Sequence, residues 1–208
     1  MKTPRRLVLV ALVIVLLLLF AGGVALWYLE RIPKPYDSAR IAAAETRMWE
    51  AYYRRDIDAI TRELTILIRE QFKVSEEGAR EVAGCLARAA GKFELLRNSN
   101  YDETVLPDLE KAYTLIKDAS GRVYDAREAA QAELDWWVIR RKLGEDGVDE
   151  VGKRIAKLYA ILLGKTNEDI ERAGQLRAKA ACLRETNSDW AMVQRLLEQS
   201  YASLLEGM

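Results

Sequence analysis

Leu109-Glu-Lys-Ala-Tyr-Thr-Leu-Ile116, Ile155-Ala-Lys-Leu-Tyr-Ala-Ile-Leu162 and Leu197-Glu-Gln-Ser-Tyr-Ala-Ser-Leu204 share one pattern. Their inward-type positions recur three, four and seven residues on, which is one face of an α-helix. Each carries a tyrosine at the fifth place, and Ile66-Leu67-Ile68 stands where a fourth copy would fall. Arginines mark the same weak period: Arg54, Arg97, Arg140 and Arg184 are spaced 43, 43 and 44 residues apart. Each lies near the end of the helix that precedes one of these segments. A period of this length suits a hairpin of two helices, repeated.

Outward from these segments the pattern is helical throughout, without strand-like alternation. The spacing predicts helices at 37–54, 56–72, 75–97, 105–119, 123–143, 148–163, 167–186 and 189–206. Asp37 or Ser38, Ser75 and Asp189 read as helix starts, because a short polar side chain can accept from the free N–H groups of the first turn. Gly121, Gly144 and Gly164 read as stops, and Pro107 suits a first turn, where its missing N–H costs nothing. Connections are short, as antiparallel neighbours require. The expected fold is all-α, a compact array of about eight helices arranged as four helical hairpins. A short solenoid is the alternative, and the tetratricopeptide pattern is not met.

Ahead of this array, residues 7–29 carry no charge: Leu7-Val-Leu-Val-Ala-Leu-Val-Ile-Val-Leu-Leu-Leu-Leu-Phe-Ala-Gly-Gly-Val-Ala-Leu-Trp-Tyr-Leu29. As a helix this run would be roughly 34 Å long, enough to cross a hydrocarbon core of about 30 Å. Trp27 and Tyr28 would sit at the headgroup level. Lys2, Arg5 and Arg6 are packed closely before it, so residues 1–6 are expected in the cytoplasm and 37–208 outside. Pro33 and Pro35 make 30–36 a semi-extended spacer. The expected location is the cell (inner) membrane, single-pass, with the run retained as a signal-anchor. The alternative is secretion after cleavage near Gly23.

Lys plus Arg and Asp plus Glu both number 32, so the net charge is zero. A neutral chain lacks the basic footprint of a nucleic-acid binder. There is no histidine, which removes Ser-His-Asp and Cys-His catalysis and HExxH zinc sites. No cofactor or metal is expected. Asp56, Asp58 and Glu63, and Asp146, Asp149 and Glu150, lack calcium-loop spacing and suit helix N-termini instead. A bond between Cys85 and Cys182 would close a loop of about 100 residues, worth about 4.7 kcal/mol in the chain-entropy model. Both cysteines lie among alanines, so core thiols are favoured over the disulfide.

Two segments concentrate aromatic and acidic residues: Glu45-Thr-Arg-Met-Trp49-Glu-Ala-Tyr52-Tyr53-Arg54 and Glu133-Leu-Asp-Trp136-Trp137-Val-Ile-Arg140. Glu45 and Glu133 each interrupt an apolar stripe and have a tryptophan four residues on. Burying a carboxylate unpaired is expensive. Each is therefore either a general acid in a desolvated pocket or a structural group held by Arg47, Arg54, Arg140, Arg141 or by Tyr and Trp donors. Trp49, Tyr52, Tyr53, Trp136, Trp137 and Arg140 are the candidate binding surface. The segments that mark lytic transglycosylases, a Glu-Ser start and Gly-Leu-Met-Gln, are absent.

These readings favour a membrane-anchored interaction or scaffold domain. Its expected partners are the lipid bilayer through residues 7–29 and another envelope or membrane protein, with homo-oligomerisation left open. The alternatives are an envelope hydrolase or lyase using Glu45 or Glu133, and a carrier for a small apolar ligand.

Overall fold

The helix ends follow from local chemistry. In the computed structural model residues 36–97, 100–186 and 189–208 are described, and they fall within one compact unit, Pro35–Met208. The eight long helices are α1 (Ser38–Tyr53), α2 (Ile57–Phe72), α3 (Glu76–Leu95), α4 (Leu106–Ser120), α5 (Ala126–Leu143), α6 (Val148–Leu163), α7 (Glu168–Thr186) and α8 (Trp190–Glu206). A single turn, Tyr101–Thr104, precedes α4, and a 3₁₀ turn, Gly144–Gly147, links α5 to α6. No strand occurs among the described residues. The expected all-α array of eight helices is present.

Asp37, Asp56, Ser75, Asp125 and Asp189 each accept a hydrogen bond from the backbone N–H three residues on, at 2.8–3.1 Å. Gly121, Gly144 and Gly164 have positive φ and end α4, α5 and α6. One stop carries no glycine signal: α2 ends on Lys73 in the left-handed conformation, φ 54°. The fifth helix starts three residues later than its periodicity suggests, because Asp125 supplies the cap and Val123 is exposed.

Each long helix packs against the helices before and after it in the chain, and α8 packs back on α1. Odd-numbered helices run one way and even-numbered ones the other. Arg141 at the end of α5 donates to the Phe93 carbonyl at the end of α3, and Tyr53 at the end of α1 meets Trp190 at the start of α8. The four expected hairpins therefore form a closed ring, and neither a side-by-side bundle nor an open solenoid. At one seam the backbones nearly touch. A Cβ on Gly174 of α7 would stand 2.4 Å from the Gly152 carbonyl of α6, so only glycine allows that approach.

Alanines on the helix flanks let neighbouring helices pack closely, with Ala42, Ala44, Ala79, Ala83, Ala89 and Ala129 fully buried. The run Leu7–Leu29, its flanking charges, the cleavage position near Gly23 and most of the 30–36 spacer lie outside the described residues. Among the described residues, no helix is long and apolar enough to cross a membrane.

Candidate functional site

The ring encloses a cavity of about 390 Å³ lined by α1 through α7. Its floor is apolar and buried, formed by Leu67, Phe72, Ile116 and Leu162. Its exposed lining residues are Tyr53, Glu94, Arg141 and Glu185. These come from the last turns of α1, α3 and α5 and the end of α7, so the mouth opens where the odd-numbered helices end. Between floor and mouth the wall is aromatic: Trp49, Tyr52, Phe93, Trp136 and Trp137. The volume would hold about 13 waters at roughly 30 Å³ each, within the range of small-molecule sites.

All eight residues singled out from the sequence line this one cavity: Glu45, Trp49, Tyr52, Tyr53, Glu133, Trp136, Trp137 and Arg140. Two segments almost ninety residues apart thus meet across a lumen. Of these candidate binding-surface aromatics Trp136 is buried, Tyr53 is exposed at the mouth, and all of them line the cavity. Edge-on contacts hold the wall: Trp136 with Trp137, Trp137 with Phe93, and Trp49 with Tyr52, at centroid distances of 5.4–6.1 Å. Such pairs add modestly to the area they bury.

Glu45 is fully buried, and both its oxygens are engaged. Oε1 accepts from Arg177 at 2.8 Å and from Trp49 Nε1 at 3.3 Å, and Oε2 accepts from the Tyr201 hydroxyl. Arg177 also donates to the Tyr159 hydroxyl at 3.0 Å. Burial opposes the charge on Arg177. Glu45, followed by Tyr159 and Tyr201, outweighs it and holds the guanidinium pKa well above its usual value. Burial first, then Glu45, raises the Tyr201 pKa well above 10.0. Tyr159 is raised by burial too, against the pull of Arg177.

Glu133 is only half-buried. Its oxygens accept from the Tyr113 hydroxyl at 2.9 Å and Trp137 Nε1 at 2.8 Å. Burial first, then Glu133, drives the Tyr113 pKa well above 10.0. The tyrosine and tryptophan donors match the sequence expectation, but the arginines do not. Arg47 pairs with Glu63, Arg54 with Glu50, Arg140 with Glu185 and Arg141 with Glu94. The partner of Glu45 comes from 132 residues away. A signal for it does exist: Glu45, Ala89, Glu133 and Arg177 are spaced 44 residues apart. The tyrosines of the recurring segments are the hydroxyls that meet these groups.

Arg184 was visible only as a member of the arginine period. It is buried, with its guanidinium 3.4 Å from the centre of the Trp49 ring, and its Nε has no hydrogen-bond partner. Burial lowers its pKa from the usual value.

Asp56 caps α2, Asp149 and Glu150 lie in the first turn of α6, and Glu150 pairs with Arg154. Cys85 and Cys182 are free thiols, Cys85 buried and Cys182 partly so. Comparison with protein-family models, curated proteins and solved structures found no match.

Proposed function

We propose that this chain is a membrane-anchored carrier or sensor whose helical ring holds a small, largely apolar molecule. The observation that carries the reading is the aromatic cavity of about 390 Å³ at the centre of the ring, open at one end. Pockets with apolar walls and a few placed polar groups are the usual form of small-molecule sites. The uncharged run 7–29 supports anchorage, and Lys2, Arg5 and Arg6 support an outward-facing ring.

A general-acid role for Glu45 is less well supported. Its oxygens accept from three donors and none of it is exposed, so the carboxylate is engaged within the fold and does not face a substrate. Glu133 also has a donor on each oxygen. The interaction-module reading keeps one supporting observation. Leu95 is 84% exposed at the end of α3, and Ile57, Leu96, Leu143 and Met192 are exposed at the same end of the ring as the mouth. A partner that docks at this end would cover them.

The test is photolabelling of the full chain in lipid nanodiscs with a diazirine-bearing decanol. Adducts should map to peptides carrying Ala90, Phe93 and Trp136, and Ala90→Trp, which fills the lumen, should remove them. Adducts scattered over the outer helix faces, and unchanged by Ala90→Trp, would overturn the carrier reading.

A further inference from the structure

The four arginines of the sequence period stand at equivalent places, at the ends of α1, α3, α5 and α7. The C-terminal end of a helix carries partial negative charge, which a nearby cation offsets from the surface. Arg54 and Arg97 are so placed, with side chains 62% and 72% exposed. Arg140 and Arg184 are not. Each is only 7% exposed, each lines the cavity, and each has a buried Nε with no hydrogen-bond partner. A helix-end role does not need burial, and burying a cation is costly unless it is paired. The same register thus separates two ordinary helix-end arginines from two drawn into the lumen.

Their pairing differs as well. Arg140 reaches Glu185 and, at 3.5 Å, the Ala181 carbonyl. Arg177 has Glu45, and Arg141 has Glu94. Arg184 makes no ion pair among the described residues and rests on the face of Trp49. Of the four cavity-lining arginines it alone lacks a carboxylate partner there.

We propose that the ligand of this cavity is an amphipathic anion, with one carboxylate or phosphate held by Arg184 and Arg140 near the mouth. Its apolar body lies against Trp49, Phe93 and Trp136. Arginine suits this task because its planar donors match a carboxylate or phosphate. An anion here would supply an ion pair to the one cavity-lining arginine that has none among the described residues. The inference rests on the carrier reading above and names its ligand class.

The experiment compares the diazirine decanol with the matching decanoate on the full chain in zwitterionic nanodiscs. The decanoate should half-saturate cavity labelling at a concentration at least tenfold lower. Arg184→Met should abolish the tenfold difference between the two probes, and Arg184→Lys should restore part of it. A cooperative thermal transition in circular dichroism shows that the variant is folded. Displacement by added hexyl phosphate would identify a soluble anion as the source, and displacement by anionic lipid built into the disc would identify a bilayer lipid. Equal half-saturation by the two probes, or an Arg184→Met variant that keeps the preference, would overturn the anion assignment and leave the carrier reading standing. Absence of cavity labelling by both probes would overturn the carrier reading itself.

Discussion

Glu45 and Glu133 occupy equivalent places on α1 and α5, on different arcs of the same ring, yet they do different jobs. Glu133 joins neighbours, since Tyr113 lies on the adjacent α4 and Trp137 lies one turn along α5. Glu45 joins the beginning of the ring to its end. Arg177 is on α7, Tyr201 on α8, and Tyr159 on α6 completes the network. One carboxylate stitches a local seam, and the other is the polar clasp that closes the circle. Networks of this sort stabilise only when every member is satisfied, so the clasp should be the more fragile of the two.

Removing Arg177 should give the largest effect. Arg177→Met leaves Glu45 buried without its cation, and breaking a buried pair in this way costs about 3–5 kcal/mol. Chemical denaturation followed by tryptophan fluorescence would measure it. A loss below about 1 kcal/mol would mean that the clasp is not needed for closure.

The tyrosines sharpen the comparison at a smaller scale. Tyr201→Phe removes a donor from a fully buried carboxylate and should cost about 2–3 kcal/mol. Tyr113→Phe removes one from a half-buried carboxylate that keeps its tryptophan donor and should cost about 1 kcal/mol. The same denaturation experiment ranks them. Equal losses would dissolve the distinction between clasp and seam.

The smallest effect at neutral pH is the ionisation of these hydroxyls. Tyr113, Tyr159 and Tyr201 have folded pKa values raised above 10.0, chiefly by burial. A raised pKa contributes stability that is fully present below the unfolded value and is lost as pH rises through the folded one. Stability should therefore be flat up to about pH 10 and fall beyond it. Tyrosinate absorbance from the three should appear together with unfolding. Their titration in the intact fold near pH 10 would contradict the buried network.

Much of the fold was legible locally. Helix ends depend on a few adjacent residues, so Ser75, Asp189, Gly121, Gly144 and Gly164 could be read directly. Lys73 could not, because a left-handed lysine has no distinctive sequence mark. The cavity was half legible. A glutamate in an apolar stripe with a tryptophan four residues on was a sound marker of the lumen wall at both Glu45 and Glu133. Their partners were sought nearby, whereas the cation for Glu45 lay on α7. Arg184 was hidden for a related reason, since nothing in its own neighbourhood tells it apart from Arg54 or Arg97.

The sequence by itself determined the helices, their lengths and their pairing into hairpins, because hydrogen bonds within a helix and caps at its ends are short-range. It also determined which stripes carry charge among apolar residues. Only the tertiary structure decided that four hairpins close into a ring around a cavity and bring Glu45, Arg177 and Tyr201 together. Closure depends on contacts between the first helix and the last two, more than a hundred residues apart, and no periodicity within a single helix encodes them.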